Sequence, residues 1–379
     1  MVQLLIIDDD PALQRFLQRV LTSSGYDVAV ATNGREGLQL AKELRPALII
    51  CDWLMPQMSG VEVCHQIKQI TELDTTFFIL LTSLVSVEDR VQGLNAGADD
   101  FLLKPIQPSE LVARVQSGLR LHHLSQDLKR KTQQLETELR EAAEYVRSLL
   151  PDPLKHPQVT ISNRFIPSLQ LGGDGFDYFW LDDQHLVVYL LDVAGHGLRA
   201  ALPSLSVMNL LRSRQLKQID YYSPKSVLQE LNQVFQITLK NDKYFTIWYG
   251  VFNLKTHQLR YSSAGHPPGI LFASDHPPLS EQHLKTQGFP IGLFANADYE
   301  EVALKLTLPA SLYIFSDGIY EVEKAQGMYY NLEHFLPLLQ QYQATAPHQL
   351  DHLFALLQQT YGRSQFEDDV SILQIDFRC

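Results

Sequence analysis

The sequence predicts a multidomain chain: a doubly wound parallel α/β sheet, then a long helical coiled-coil linker, then an α+β β-sandwich flanked by helices. Three observations carry this. Short apolar runs alternate with amphipathic stretches over residues 1–119, as in a parallel sheet covered by helices on both faces. Residues 120–150 contain neither Gly nor Pro and repeat leucine at sevens. From 158 to 379, alternating apolar strands with turns dominate, and helical stretches are interspersed.

In the first part, LLII (4–7), DVAVA (27–31), ALIIC (47–51), FFILLT (77–82) and FLLK (101–104) read as strands. PALQRFLQRVLTSSG (11–25) has helical apolar spacing and a Gly stop, and Asp10 before Pro11 reads as its N-cap. In the linker, Leu121, Leu128, Leu135, Ala142 and Leu149 form one seam. The second seam runs through Leu124, meets Lys131, and shifts to Leu139 and Val146, so the predicted coiled coil has a slipped register and pairs two copies of the chain. PDPLKHP (151–157) stops the helix. Beyond it, HLVVYLLDV, FTIWYGVFNL, QLRYSSAG, SLYIFSDGIYEV and VSILQIDF read as strands, with helices at 200–216, 224–240 and 345–361.

The totals fit this division. At about 150 residues per domain, 379 residues allow two or three domains. Forty-five per cent hydrophobic residues suffice for sizeable cores, and a net charge of -12 argues against a nucleic-acid surface. Cys51, Cys64 and Cys379 lack metal-ligand spacing and read as reduced thiols. The N-terminus meets acid at residue 8 and has no basic leader, and no apolar run reaches the ~18 residues that span a bilayer. A cytoplasmic protein with no membrane or nucleic-acid partner is expected.

Acids collect at the ends of the first strands. Asp8 and Asp9 follow LLII, Asp52 follows ALIIC, Thr82 ends FFILL, and Lys104 follows FLL. The carboxyl ends of parallel strands form one crevice, where neighbouring carboxylates repel unless a hard cation holds them. Lys and a hydroxyl there suit a phosphoryl group. LLIIDDDP, CDWLMPQMSG, LLTS and GADDFLLKP resemble the response-regulator receiver domain over essentially all of 1–119. The resemblance implies that Asp52 accepts a phosphoryl group from a sensor histidine kinase. It further implies that Asp9, Asp52 and the Leu54 carbonyl hold Mg²⁺, with Asp8 supporting through water. Thr82 and Lys104 would contact the phosphoryl oxygens, and Phe101 would be the aromatic that turns inward on activation. Ser83 and Ser59 depart from the commonest residues of the pattern without touching its chemistry.

A second set of acids abuts the later strands: Asp174 and Asp177 in LGGDGFD, Asp192 before AGHG, Asp317 in SDGIYE, and Asp368 with Asp369 before the last strand. Acids gathered at separate strand ends are costly unless metal-bound. Two cations bridged by a carboxylate would acidify a water and orient it for in-line attack at phosphorus. An all-acid set without Cys or clustered His favours Mg²⁺ or Mn²⁺ over Zn²⁺. Each motif alone is weak, since GG and DG pairs are mostly turns. In order, LGGDGFD, DVAGHG, YFTIWYGVF, AGHPPG, GFPIGL, SDGIYE and DDVS resemble the metal-dependent PPM-type serine/threonine phosphatases, nearest the bacterial sporulation and stress-response branch, over about 158–379.

That resemblance implies two or more Mn²⁺ or Mg²⁺, with Asp192 bridging, the Val193 carbonyl a further ligand, and Asp174, Asp317 and Asp368 completing the set. Asp369 ranks below Asp368, Asp177 reads as structural, and His196 has no assigned role. Gly175 departs from the usual aromatic and is expected to loosen the turn. LGGDGFD is also close to the GGDEF signature of diguanylate cyclases, but Gly175 replaces the Glu and the heptad helix occupies the required upstream segment. The resemblance implies a response regulator whose output is a protein phosphatase, acting on a phosphorylated anti-sigma-factor antagonist. The alternative is a receiver-controlled adaptor whose phosphatase-like domain only binds.

Overall fold

The computed structural model describes residues 3–83, 87–168, 171–217, 219–238, 244–273, 280–323, 329–345, 349–362 and 366–378. Cys379 and parts of the expected helices 224–240 and 345–361 lie outside these residues. The chain divides into two compact units, Met1–Glu136 and Thr137–Cys379.

The first unit alternates strands and helices as its apolar periodicity requires. β1 (Leu4–Ile7), α1 (Pro11–Ser23), β2 (Val28–Ala31), α2 (Gly34–Leu44) and β3 (Leu48–Asp52) are followed by α3 (Gly60–Lys68), β4 (Phe77–Thr82), α4 (Val87–Asn95) and β5 (Asp100–Leu103). The strands form one parallel sheet in the order β2-β1-β3-β4-β5. Leu5, Ile7, Ile49 and Leu80 pack on one face with Val63 and Ile67 of α3, while Leu4, Ile6, Ile50 and Ile79 pack on the other with Leu17 and Leu21 of α1. Runs buried on both faces are the mark of a parallel sheet. Asp10 caps α1 by accepting from the Ala12 amide, with Pro11 at the first helical position. Ser59 opens α3 with a capping box to Glu62, which gives this departure from the receiver pattern a structural role.

The expected boundary at 119 falls inside a single helix, α5 (Pro108–Ser148), 41 residues long. Leu111, Val115, Gly118 and His122 are its buried residues. His122 Nδ1 lies 2.7 Å from the Thr75 carbonyl, and Lys129 Nζ donates to the Thr71 carbonyl and bonds Asp74 at 2.7 Å. The heptad leucines, by contrast, face solvent: Leu121, Leu124, Leu128, Leu135 and Leu139 are all exposed.

The second unit is an α–β–β–α sandwich. Its strands are β6 (Leu154–Lys155), β7 (Val159–Ile166), β8 (Gly175–Trp180), β9 (His185–Val193), β10 (Phe245–Asn253) and β11 (Gln258–Ala264). They continue with β12 (Gly269–Ala273), β13 (Ser280–Leu284), β14 (Val302–Lys305), β15 (Ala310–Phe315) and β16 (Val370–Phe377). One sheet has the order β14-β11-β10-β9-β8 and the other β13-β12-β15-β16-β7-β6. Leu190, Trp248, Leu312 and Leu373 fill the space between them. Val207 and Leu211 of α6 (Leu198–Arg212) and Leu228 and Leu231 of α7 (Pro224–Thr238) cover the first sheet. Phe335 and Leu339 of α8 (Leu332–Thr345) and Leu353 and Leu357 of α9 (Leu350–Tyr361) cover the second.

Two expectations fail locally. SLYIFSDGIYEV is not one strand: β15 ends at Phe315 and Asp317–Ile319 is a 3₁₀ turn, because the sheet ends where the acid must turn out of it. Helix α8 was not foreseen, since Pro337 sits inside it and reads in sequence as a break.

Candidate active sites at two sheet ends

At the carboxyl edge of the parallel sheet, β1 and β3 are neighbours, so the acids that follow them converge. Ligand atoms of Asp8, Asp9 and Asp52 lie within 4.8 Å of one another. Asp8 is fully buried, and its Oδ1 accepts from the Asp10 amide at 2.8 Å. Its Oδ2 has no hydrogen-bond partner, with Lys104 Nζ 3.7 Å away. Burial, opposed by the Asp10 amide and Lys104, holds the Asp8 carboxyl above its usual range. Asp52 Oδ1 accepts from Lys104 Nζ at 2.7 Å and from the Trp53 amide at 3.0 Å. Thr82, at the end of β4, is buried, and Phe101 on β5 is half-buried with its ring 6.3 Å from that of Trp53. The Leu54 side chain is exposed, as befits a residue whose backbone is the expected ligand. Three oxygen donors with an orphaned buried oxygen fit a hard divalent cation.

The second cluster forms at one end of the sandwich. Asp192 lies in β9 and Val193 ends it, Asp174 immediately precedes β8, Asp317 follows β15, and Asp368 and Asp369 precede β16. Asp174 is buried; its Oδ2 accepts from Ser316 Oγ at 2.7 Å, and its Oδ1 has no donor in bonding geometry, the Ser371 hydroxyl being nearby. Burial and then the charge of Asp192 push the Asp174 carboxyl well up. Burial, then Asp317, Asp368, Asp369 and Glu321, do the same to Asp192. Asp317 is pushed up to about 6 by burial, Glu321 and Asp368. Asp368 is exposed yet raised, mainly by desolvation, and His196 partly offsets this. Burial and their mutual repulsion raise these acids, and a divalent ion would offset both. Their oxygen-only donors fit one. They are more widely spaced than the Asp8 trio, which among the described residues is the one group with all ligand atoms within 4.8 Å.

The glycines explain the local chain path. A Cβ on Gly172 would lie 2.7 Å from the Asp369 carboxylate, and one on Gly173 would lie 2.7 Å from the Val193 carbonyl oxygen. The GG pair thus lets two strand ends approach Asp174 as closely as the cluster demands. Gly175 corrects the expectation of a loosened turn. It is a buried residue of β8, and a Cβ there would meet Ser204 Oγ at 2.5 Å and Met208 Sδ at 2.9 Å. The missing side chain admits helix α6, so the segment is tight.

Asp369 has work of its own. One oxygen accepts from the Ser168 amide and hydroxyl, and the other from the Gly173 amide at 2.6 Å, so it ties the loop carrying Asp174 to β16. Asp177 is buried and paired with Arg212 Nε at 2.6 Å; the same guanidinium donates to the Leu149 carbonyl just beyond α5. His196 is exposed, and its charge is felt at Asp368. Sequence reasoning missed Ser316 and Glu321. Both sit in SDGIYE, where the signal was an acid and a hydroxyl bracketing Asp317 within one turn.

Two family models match the chain. One, described as Stage II sporulation protein E (SpoIIE), covers residues 182–378, and one described as Response regulator receiver domain covers 4–116. The probable transcriptional regulator ycf27 of Porphyridium aerugineum is 40% identical over 118 residues, 31% of this chain and 48% of that protein. Response regulator MprA of Mycolicibacterium vanbaalenii is 43% identical over 119 residues, 31% of this chain and 51% of that protein. The chain spans about half the length of these curated relatives. The solved SiaA-PP2C domain of Pseudomonas aeruginosa aligns with a TM-score of 0.54 at 22% identity, over 66% of this chain and 98% of that chain, a likeness of fold. Asp174 lies ahead of the matched sporulation segment, so only its geometry argues for it.

Proposed function

From the premise that the chain belongs to the stage II sporulation protein E (SpoIIE) family and carries a response regulator receiver domain, we propose that it is a two-component response regulator whose output is a metal-dependent phosphoserine/phosphothreonine protein phosphatase. The observation that carries this is the convergence of Asp174, Asp192, Asp317 and Asp368, each raised by burial and none in an ion pair with Lys or Arg among the described residues, at one end of the sandwich. A structural role would have paired them, as Asp177 is paired with Arg212.

In this reading the receiver is 1–119, the linker 120–150 and the phosphatase domain 158–379. Mg²⁺ sits with Asp8, Asp9, Asp52 and the Leu54 carbonyl. Two or more Mn²⁺ or Mg²⁺ are held by Asp174, Asp192, the Val193 carbonyl, Asp317 and Asp368, where they supply Lewis acidity and an acidified water. Asp369 and Ser316 position the Asp174 loop. A sensor histidine kinase phosphorylates Asp52, Thr82 and Lys104 contact the new phosphoryl oxygens, and Phe101 changes its packing against Trp53. The substrate is a phosphoprotein, an anti-sigma-factor antagonist by the family's habit.

The exposed leucines of α5 support pairing with a second copy through 120–150, which would bury them. The helix is continuous from the receiver to the phosphatase domain, so its pairing is the two-state element through which Asp52 acts. Mn²⁺-dependent hydrolysis of p-nitrophenyl phosphate, abolished by Asp192→Ala, tests the enzymatic reading. A wild-type chain inert under metal saturation would leave a binding adaptor instead.

A further inference from the structure

A groove of about 1190 Å³ opens along Gly265, Gly288, Phe289, Phe294 and Glu300. Its place follows from strand pairing. Asp192 of β9 lies opposite Thr246 of β10, and on the far side of β10 the Phe245–Ile291 and Ile247–Gly265 bridges bring in the two segments that flank the groove. Two strand spacings of about 4.8 Å put the Gly265 backbone, at the near edge of the groove, roughly 10 Å from that of Asp192, at the same end of the sandwich as the acids.

Its lining is mixed, with one apolar wall that is held open. Phe289 is 57% and Phe294 50% exposed, with their rings in edge-to-face contact at 4.7 Å, and Leu293 beside them is 44% exposed. A floppy loop would account for such exposure, but this loop is pinned. Ile291 exchanges both backbone hydrogen bonds with Phe245, at 3.1 and 2.8 Å. The buried Asn232 of α7 accepts from the Gly292 amide at 2.8 Å and donates to the Phe294 carbonyl at 3.0 Å. Gly265 donates to the Gly288 carbonyl at 2.9 Å. A rigid loop that presents two phenyl rings to water beside a reaction centre is built as an anchor site. Asp298 and Glu300 against the single Lys285 make the lining unfavourable to a nucleotide or free phosphate, and the opening is wider than a small-ligand pocket.

We propose that this groove docks the phosphoprotein substrate, taking an apolar side chain three or more residues from the phosphorylated Ser or Thr. The inference rests on the phosphatase reading and adds a sequence preference to it. The spacing follows because an extended segment advances about 3.3 Å per residue, so the roughly 10 Å to the near edge of the groove takes three residues and its further lining takes more. One leucine buried against the two rings is worth about tenfold in kcat/KM.

The test uses the full chain with Mn²⁺ and nine-residue phosphoserine peptides in an Ala/Gly background, a single Leu being moved through positions -4 to +4 and phosphate release measured. The expected profile peaks about tenfold above background at three or four residues from phosphoserine, on one side only. Phe289→Ser with Phe294→Ser flattens that peak while p-nitrophenyl phosphate hydrolysis keeps its wild-type rate. Both side chains are half-exposed, so the fold is retained, and Phe294→Leu, which keeps an apolar wall, preserves most of the peak. A flat wild-type profile, or a peak unchanged in the double variant, overturns the proposal. So does a double variant whose one change is in oligomeric mass, which would make the groove a contact between copies. Absence of p-nitrophenyl phosphate hydrolysis in the wild type would strike the phosphatase reading itself, and docking with it.

Discussion

Gly175→Ala tests how tightly the Asp174 segment is built. The new methyl would sit 2.5 Å from Ser204 Oγ and 2.9 Å from Met208 Sδ, both on buried residues of α6. Both atoms end rotatable side chains, so part of the roughly 1 Å of relief comes from rotamer change, and the overpacking that remains costs about 1 kcal/mol. Helix α6 begins five residues after Val193, so the displacement reaches the metal-site loop. The expected result is a destabilised phosphatase domain with metal-dependent hydrolysis reduced at least tenfold. Urea unfolding in a Trp53→Phe background would report through Trp180 and Trp248, which lie in the second unit. Adding Ser204→Ala removes the closer clash but leaves the Met208 contact, so a double-mutant cycle should return a coupling of up to about 1 kcal/mol. Gly175→Ala with wild-type stability and activity would refute the close-packing argument and restore a loose turn.

Other outcomes follow from the same geometry. His266 is fully buried and held down to about 4, so on acidification the unfolded chain binds a proton from about 6.5 that the folded chain refuses. The His266 contribution to stability should therefore fall between those values by up to about 3 kcal/mol, read as the difference between wild type and His266→Gln in unfolding measured across pH 4–7. Lys104→Ala removes a positive charge 2.7 Å from Asp52, so Mg²⁺, followed by Trp53 fluorescence, should bind about tenfold more tightly if the two cations lie about 5 Å apart in a water-like dielectric. Leu128→Glu with Leu135→Glu should convert a dimer to a monomer in light scattering, because each leucine buried across a helix pair contributes about 2 kcal/mol per chain.

The first unit was legible almost residue by residue. Its strands are buried on both faces, so they appear as uninterrupted apolar runs, and its acids stand directly after those runs. The second site was legible as a set of acids but not as an arrangement. Ser168 and Asp369 are two hundred residues apart in sequence and hydrogen-bonded in the fold, and no local pattern announces such a pair. Gly175 misled for a related reason: a glycine signals either freedom or close approach, and only the position of α6 decides which. The linker showed the opposite fault. Its heptads were clear, yet the helix carrying them begins at Pro108, since the last helix of the receiver and the linker share one uninterrupted periodicity.

The central claim is that phosphorylation at Asp52 sets the rate of hydrolysis at the Asp192 cluster. The most direct measurement is the rate of phosphoserine-peptide hydrolysis by the Mn²⁺-loaded full chain with and without beryllofluoride, alongside Asp52→Asn. The account predicts a several-fold change in rate on adding beryllofluoride that disappears in Asp52→Asn. Equal rates in all four conditions, with beryllofluoride shown to be bound at Asp52 in the wild-type chain, would contradict it.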